Sequence, residues 1–240
     1  MAGGMARRVP AFASFDRRGY RTLSPRDGYA LWSTNYETTI KPDMDRRLLD
    51  ALTTVDWAGV ERAADLGCGT GRTGAWLRDR GVRRIDGVDL TPEMLAQAAA
   101  RDIFETLHVA DVRDTGLPAA TYDLVTTCLV DEHLPELVPL YRESARLIRP
   151  GGAHVLVAFH PFFVMRVGMP THFPGPGGEP IAIDTHVHLL SAHVAAALAA
   201  GWRLAEMHEQ LIDDAWIAQK PSWSAHRDVP ISHALVWRHD

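Results

Sequence analysis

Two short stretches carry residue types that can bind a nucleoside: Ala63-Ala64-Asp65-Leu66-Gly67-Cys68-Gly69-Thr70-Gly71 and, one strand-helix unit later, Gly87-Val88-Asp89-Leu90. In the first, an acid ends an apolar strand, and three alternate glycines lead into a helix beginning near Arg72. Only residues without Cβ let the backbone turn that sharply and come close to a ligand. In the second, an acid ends the next strand, where a ribose offers it two hydroxyls. A dinucleotide site wants G-x-G-x-x-G, its third glycine packing helix on strand and the helix start facing a pyrophosphate. Here the run from Gly67 reads G-x-G-x-G, with bulky Arg72 in the sixth place. Asp65 would repel a pyrophosphate and suits a ligand carrying an ammonium or sulfonium group. These features argue against a nicotinamide oxidoreductase.

The D-x-G-x-G-x-G form resembles motif I of the class I S-adenosylmethionine-dependent methyltransferases. Further segments follow in that family's order. Gly87 to Leu95 looks like its second-strand segment, in which the acid (Asp89) holds both ribose hydroxyls and Met94 lies against the adenine. Thr91 caps the next helix there, with Pro92 at its first position and Glu93 in its first turn. His108 to Val112 resembles the third-strand segment, whose acid (Asp111) meets the adenine amino group. Tyr122 to Leu129 looks like the fourth strand, and Arg149-Pro150-Gly151-Gly152 is similar to the turn before the fifth. Gly28 to Tyr36 resembles the N-terminal Y-D-x-W-x-x-x-Y segment of the ubiquinone-biosynthesis-like small-molecule methyltransferases, with Ala30 where that family has Asp. Tyr29 and Tyr36 then close over the cofactor's methionine end, or are helix-packing aromatics. The resemblance covers Asp27 to Phe159 well and the rest loosely. It implies S-adenosylmethionine as cofactor, held by Tyr29, Tyr36, Asp65, Gly67, Cys68, Gly69, Asp89, Leu90, Met94, Asp111, Val112 and Cys128. It says nothing specific about the acceptor.

Methyl transfer from a sulfonium is an in-line displacement, so positioning and desolvation supply most of the rate. A general base matters only for an acceptor protonated at neutral pH. The place for one is Leu129-Val130-Asp131-Glu132-His133-Leu134, after the fourth strand, where the family often has His-His and this chain has Glu132-His133. His133 is the first candidate, since histidine titrates near working pH, and His160 the second. The alternative for each is a capping or hydrogen-bonding histidine. Of the 12 histidines, His172, His186, His188 and His193 lie close in sequence, but no Cys or carboxylate partner has diagnostic spacing, and no metal is expected. Asp213-Asp214 reads as a solvated acidic turn or an anchor for an acceptor amine.

The elements that must position these residues alternate: helix 43–52, strand 62–66, strand 84–88, helix 92–101, strand 106–109, strand 124–128, helix 135–147 and strand 154–159. That rhythm predicts right-handed crossovers and an α/β fold, a doubly wound, seven-stranded, mostly parallel Rossmann-like sheet. After Phe159 it breaks into a Pro- and Gly-rich stretch with the apolar cluster Phe162-Phe163-Val164-Met165. Helix 191–200 follows, with Ser191 as N-cap and Gly201 as C-cap. Strands 202–210 and 231–238 form the antiparallel edge pair that the family places last. Trp202, Trp216, Trp223 and Trp237 read as edge-sheet packing or as a flat acceptor surface. We expect a mobile arm over 1–26 and one methyltransferase domain over 27–240, with a helical cap (27–58). A lid or acceptor wall spans 160–190, disorder being its alternative.

The chain has 240 residues, 46% hydrophobic and 23% charged, with net charge −5. No global basic face argues for nucleic acid or an anionic membrane, and Arg7-Arg8 and Arg17-Arg18 read as solvated pairs. The signature Asn/Asp-Pro-Pro-aromatic of enzymes acting on planar amino groups is missing after the fourth strand. The N-terminus has no apolar run of a signal peptide, no segment reaches the ~20 apolar residues of a membrane span, and the two cysteines suit a reduced, cytoplasmic setting. We therefore expect methyl transfer to O, N or C of a small apolar or aromatic metabolite, in secondary metabolism. The alternative is a relative that uses the cofactor for cyclisation or binds it without turnover. The surface is compatible with a homodimer.

Overall fold

Strict alternation of fully buried residues builds the centre of the fold. Ala63, Leu124, Val155, Val157, Ala234 and Val236 face one way, against Leu48, Leu49, Trp76 and Leu77. Their neighbours Ala64, Val125, Leu156, Ala158, Leu235 and Trp237 face the other, against Leu140, Tyr141 and Trp202. A sheet covered on both faces is what crossover helices produce. The computed structural model describes residues 11–40 and 43–239.

In chain order the elements are β1 (Arg21–Leu23), α1 (Pro25–Trp32), α2 (Tyr36–Thr39), α3 (Asp43–Ala51), β2 (Arg62–Leu66), α4 (Arg72–Asp79), β3 (Arg84–Asp89), α5 (Pro92–Ala99), β4 (Thr106–Val109) and β5 (Tyr122–Cys128). There follow α6 (Val138–Leu147), β6 (Ile148–Phe159), α7 (Pro161–Val167), β7 (His172–Pro174), β8 (Pro180–Ile183), α8 (Leu190–Ala199), β9 (Trp202–Leu211), α9 (Asp214–Gln219) and β10 (Pro230–His239). The main sheet has seven strands in the order β4-β3-β2-β5-β6-β10-β9. β10 is antiparallel to both β6 and β9, and the other pairs are parallel. This is the expected doubly wound, Rossmann-like sheet with its antiparallel edge pair. The strand order reverses between β2 and β5, and such a reversal opens a crevice at the carboxyl ends of the strands.

Several local expectations are corrected. Residues 1–10 of the expected arm, Arg7-Arg8 included, lie outside the described residues, but 11–26 do not form a free arm. Arg17 N–H donates to the Gly168 carbonyl at 2.9 Å, and β1 pairs parallel with β8 in a second, three-stranded sheet, β1-β8-β7. β1 is too short and too exposed to show a period, and its partner lies some 160 residues away in sequence. The 160–190 stretch is ordered as α7 and the β7–β8 hairpin. α6 begins at Val138 rather than at 135, because Asp131–His133 forms its own 3-10 turn. Ser191 lies inside α8, whose N-cap is Leu189, while Gly201 follows its end at φ 85°. Thr91 precedes Pro92 without a side-chain capping bond. Asp213 caps α9 by accepting from Trp216 N–H and also pairs with Arg47, so it is a structural turn rather than an open amine anchor.

Two satellite clusters flank the crevice. Trp32, Phe173, Ile181 and Ile183 form one, with Tyr29 and Tyr36 against them. Phe163, Ile212, Trp216, Trp223, Val229 and Ile231 form the other.

Candidate active site

The glycine loop is shaped by contacts its sequence does not state. Gly67 has φ +74°, and a Cβ there would stand 2.3 Å from Val130 Cγ2. Gly71, at φ +86°, opens α4. Asp89, at the end of β3, ties the loop to α5: Oδ2 accepts from Gly69 N–H at 2.8 Å and Oδ1 from Thr91 N–H at 2.9 Å. Burial pushes the Asp89 carboxyl up, and these backbone donors pull against it. Each carboxylate oxygen keeps lone pairs for further donors.

A cavity lies over this loop. Of the expected cofactor residues, Tyr29, Tyr36, Gly67, Gly69, Asp89, Leu90, Met94, Asp111, Val112 and Cys128 line it. Asp65 and Cys68 do not. Asp65 is buried beneath the loop, with Oδ1 accepting from Thr126 Oγ1 at 2.8 Å and Oδ2 without a partner. Burial raises its pKa to about 7. Cys68 is buried, its Sγ lying where it would meet a Cβ on Gly87. Asp111 already binds the Arg113 guanidinium at 2.6 and 2.9 Å. Arg113, Pro25, Thr91, Leu129, Val130 and Leu134 also line the cavity, and none of them was expected to hold the cofactor. The residues fit a nucleoside with a cationic tail: a carboxylate for the ribose, an apolar wall at Met94 and Leu90, and an uncluttered backbone at Gly67 and Gly69.

A second cavity adjoins the first, sharing Tyr29, Tyr36 and Leu129. It is lined by both satellite clusters, through Trp32, Ile40, Phe163 and Trp223, and by Met44, Phe159, Val164 and Met169. Its polar residues include Arg72, Glu132, Thr171, His172 and Lys220. Arg72, the residue that broke the dinucleotide spacing, reaches this wall and meets Asp45 at 3.4 Å.

The structure separates the two candidate histidines. His133 lines the cofactor cavity. Its Nδ1 donates to the Asp184 carbonyl at 2.7 Å, which leaves Nε2 to accept from the Tyr29 hydroxyl at 2.9 Å. Burial lowers its pKa, so it is the neutral imidazole, with its lone pair already engaged. It positions Tyr29 at the partition between the cavities. His160 is corrected: it lines neither cavity, caps α7 by accepting from Phe162 N–H, and bonds Glu209 at 2.8 Å. Tyr29→Phe is expected to cost ~1 kcal/mol of stability, because it strands the buried Nε2 of His133. Thermal denaturation beside wild type measures this, and an unchanged midpoint would remove the bond's structural role.

The residue that sequence reasoning passed over is Glu132. It is buried to 4% exposure, one Oε atom has only the Thr171 hydroxyl at 3.4 Å, and Oε2 has no hydrogen-bond partner among the described residues. Burial and the neighbouring Asp131 carboxylate push its pKa up. Asp131 Oδ2 lies 3.4 Å from His193, with His188 and His233 near it. Burial opposes the Asp131 ion, but these imidazoles hold its pKa down. The sequence marked the stretch 129–134 as the place for a base but pointed to His133; the burial of both neighbouring carboxyls, at 4% exposure each, is a tertiary fact. Among the described residues no group of three or more His, Cys, Asp or Glu could hold a metal ion, and no helix is long and apolar enough to cross a membrane.

Comparison with known proteins agrees with this geometry. A family described as a methyltransferase domain matches residues 64–156. A trans-aconitate 2-methyltransferase of Escherichia coli O1:K1 is 28% identical over 169 residues, covering 67% of this chain and 66% of that protein. A malonyl-acyl-carrier-protein O-methyltransferase of Enterobacter lignolyticus is 32% identical over 111 residues, covering 46% of this chain and 44% of that one. The chain thus spans just under two thirds and less than half of these relatives' lengths. A solved S-adenosylmethionine-dependent methyltransferase from Mesorhizobium loti superposes with TM-score 0.65 at 24% identity, over 83% of this chain and 98% of that one. With its sheet order, its glycine loop and the acid that ends its next strand, the chain carries a methyltransferase domain over residues 64–156 on the fold of the class I S-adenosylmethionine-dependent methyltransferases, whose cofactor is S-adenosylmethionine.

Proposed function

We propose that this protein transfers a methyl group from S-adenosylmethionine to O, N or C of a small acceptor with an apolar or aromatic body. The observation that carries this reading is the shared wall: a nucleoside cavity and a mostly apolar cavity meet at Tyr29, Tyr36 and Leu129. Ligand sites of that kind bury an apolar body and fix it with a few polar groups. S-adenosylmethionine supplies an electrophilic methyl on a good leaving group. The protein's part is to hold the two partners in line and exclude water, which in favourable cases is worth ~7–11 kcal/mol. Asp89 binds the ribose, Met94 and Leu90 enclose the base, and Asp111 faces its amino group. Tyr29, fixed by His133, closes the junction. We take the acceptor to be a secondary metabolite by analogy with small-molecule methyltransferases of this size. Two free thiols, at Cys68 and Cys128, favour a reducing compartment such as the cytoplasm.

Calorimetric titration with S-adenosylmethionine, S-adenosylhomocysteine and NAD tests the cofactor half of this reading. Saturable binding of the first two and not the third is expected. Binding of NAD alone would reject it.

A further inference from the structure

Arg72 is the residue that sets the glycine loop apart from a dinucleotide site. It opens α4 directly after Gly71, and its side chain lines the second cavity but not the first. A guanidinium carries five N–H groups in a planar fork. Among the described residues Arg72 makes one hydrogen bond, from Nη2 to Asp45 Oδ1 at 3.4 Å. A full charge-assisted bond is shorter, roughly 2.7–2.9 Å, and the same Oδ1 already accepts from Arg46 N–H at 2.8 Å. Arg113, by contrast, grips Asp111 through two nitrogens at 2.6 and 2.9 Å. The Arg72 side chain keeps 12% exposure, and none of its nitrogens is sealed from solvent without a partner. Asp45 therefore steers the guanidinium and leaves most of the fork open.

The charge of the cavity points the same way. Lys220 also lines it, with its ammonium 4.3 Å over the Trp223 ring. The carboxyl in the lining is that of Glu132, which burial and the Asp131 charge keep protonated at neutral pH. Two cations against the one carboxylate of Asp45 leave one positive charge, counted with a neutral His172. An acceptor carrying a single negative charge balances it.

Resting on the methyltransferase reading above, we infer that the acceptor is an acid, an apolar or aromatic body bearing one carboxylate, and that Arg72 is the residue that selects it. The carboxylate takes the open N–H groups of the fork, a planar match that a hydroxyl or an ammonium cannot make. The rings of Trp32, Phe163 and Trp223 receive the body.

Calorimetric binding to protein saturated with S-adenosylhomocysteine tests this without knowledge of the natural acceptor. The probes are 3-phenylpropionate, 3-phenylpropan-1-ol and 3-phenylpropylamine, which differ at one end only. We expect the carboxylate to bind roughly tenfold or more tighter than the alcohol, and the amine to bind most weakly. Arg72→Met should erase that preference, and Arg72→Lys, which keeps the charge without the fork, should retain part of it. Both variants should bind S-adenosylhomocysteine as wild type does, because Arg72 does not line the cofactor cavity. Should the methionine variant fail to fold, the wild-type ranking and the lysine variant decide. The inference is overturned if the alcohol or the amine binds wild type as tightly as the carboxylate, if no probe binds, or if a folded Arg72→Met keeps the wild-type ranking. It is equally overturned if Arg72→Met loses affinity for S-adenosylhomocysteine and not for 3-phenylpropionate, since the fork would then serve the cofactor's own carboxylate. Failure of S-adenosylhomocysteine to bind wild type would instead reject the methyltransferase reading.

Discussion

Asp89→Ala is expected to weaken S-adenosylmethionine binding by about 10- to 100-fold, the loss of a charge-assisted bond worth ~1.5–3 kcal/mol. The carboxylate has two tasks. It faces the cofactor cavity, and it ties Gly69 N–H and Thr91 N–H together at 2.8 and 2.9 Å. Alanine removes the ribose contact and frees both backbone donors. Asp89→Asn separates the tasks, because its single carbonyl oxygen can keep one of the backbone bonds. We expect it to bind more weakly than wild type and more tightly than the alanine variant. Calorimetry on all three proteins decides, and an unchanged dissociation constant in Asp89→Ala would dissociate the second-strand acid from the ribose.

The stability of the cofactor-free protein should stay nearly level from about pH 4 to 6.5 and fall on both sides. His154 and His233 are buried with pKa values lowered to about 3, by burial first and by the neighbouring His193. Below their ordinary ~6.5 the unfolded chain binds a proton on each and the folded chain does not. Stability therefore falls as pH falls, by up to ~1.4 kcal/mol per pH unit for each group, until the folded values are reached. Asp65 and Glu132 slope the other way. Burial raises Asp65 to about 7, and burial with the Asp131 charge raises Glu132. The folded chain keeps protons that the unfolded chain has lost above ~4, so stability falls as pH rises, through about 7 for Asp65. From ~4 to ~6.5 the two slopes offset each other. The expected loss relative to this level region is of order 1–3 kcal/mol by pH 3 and by pH 8. Urea denaturation at pH 3, 5 and 8 measures it, and Asp65→Asn should flatten the alkaline side. A stability that climbs steadily from pH 6 to 8 would show that these two carboxyls ionise normally in the folded state.

The parts of this site that could be read from the chain are those set by short-range geometry. Three alternate glycines between a strand and a helix need positive φ wherever they occur, and Gly67, Gly69 and Gly71 have it. An acid at the end of the next strand falls beside that loop because parallel neighbours run in register, with Asp65 opposite Gly87. The seven strands of the main sheet were legible from alternation and run length. Their ends shifted by a few residues where a turn or a bulge intervened, as between Tyr122 and Leu124 against β6.

Contacts between distant segments were not legible. β1 gains its structure only from β8, and nothing in Arg21-Thr22-Leu23 announces that partner. Asp65 was expected against the ligand, but the strand end that carries it turns its carboxyl under the loop to Thr126. His160 was chosen for its chemistry, but α7 and Glu209 take both its nitrogens.

By itself, then, the sequence determined the sheet, the glycine loop and the cofactor family, because backbone conformation and strand period act over a few residues and leave a local trace. Only the tertiary structure decided which side chains face the two cavities. His133 became the anchor of Tyr29 rather than a free base, and Glu132 was left buried without a partner, because burial and hydrogen-bond pairing depend on segments far apart in the chain that meet only after folding.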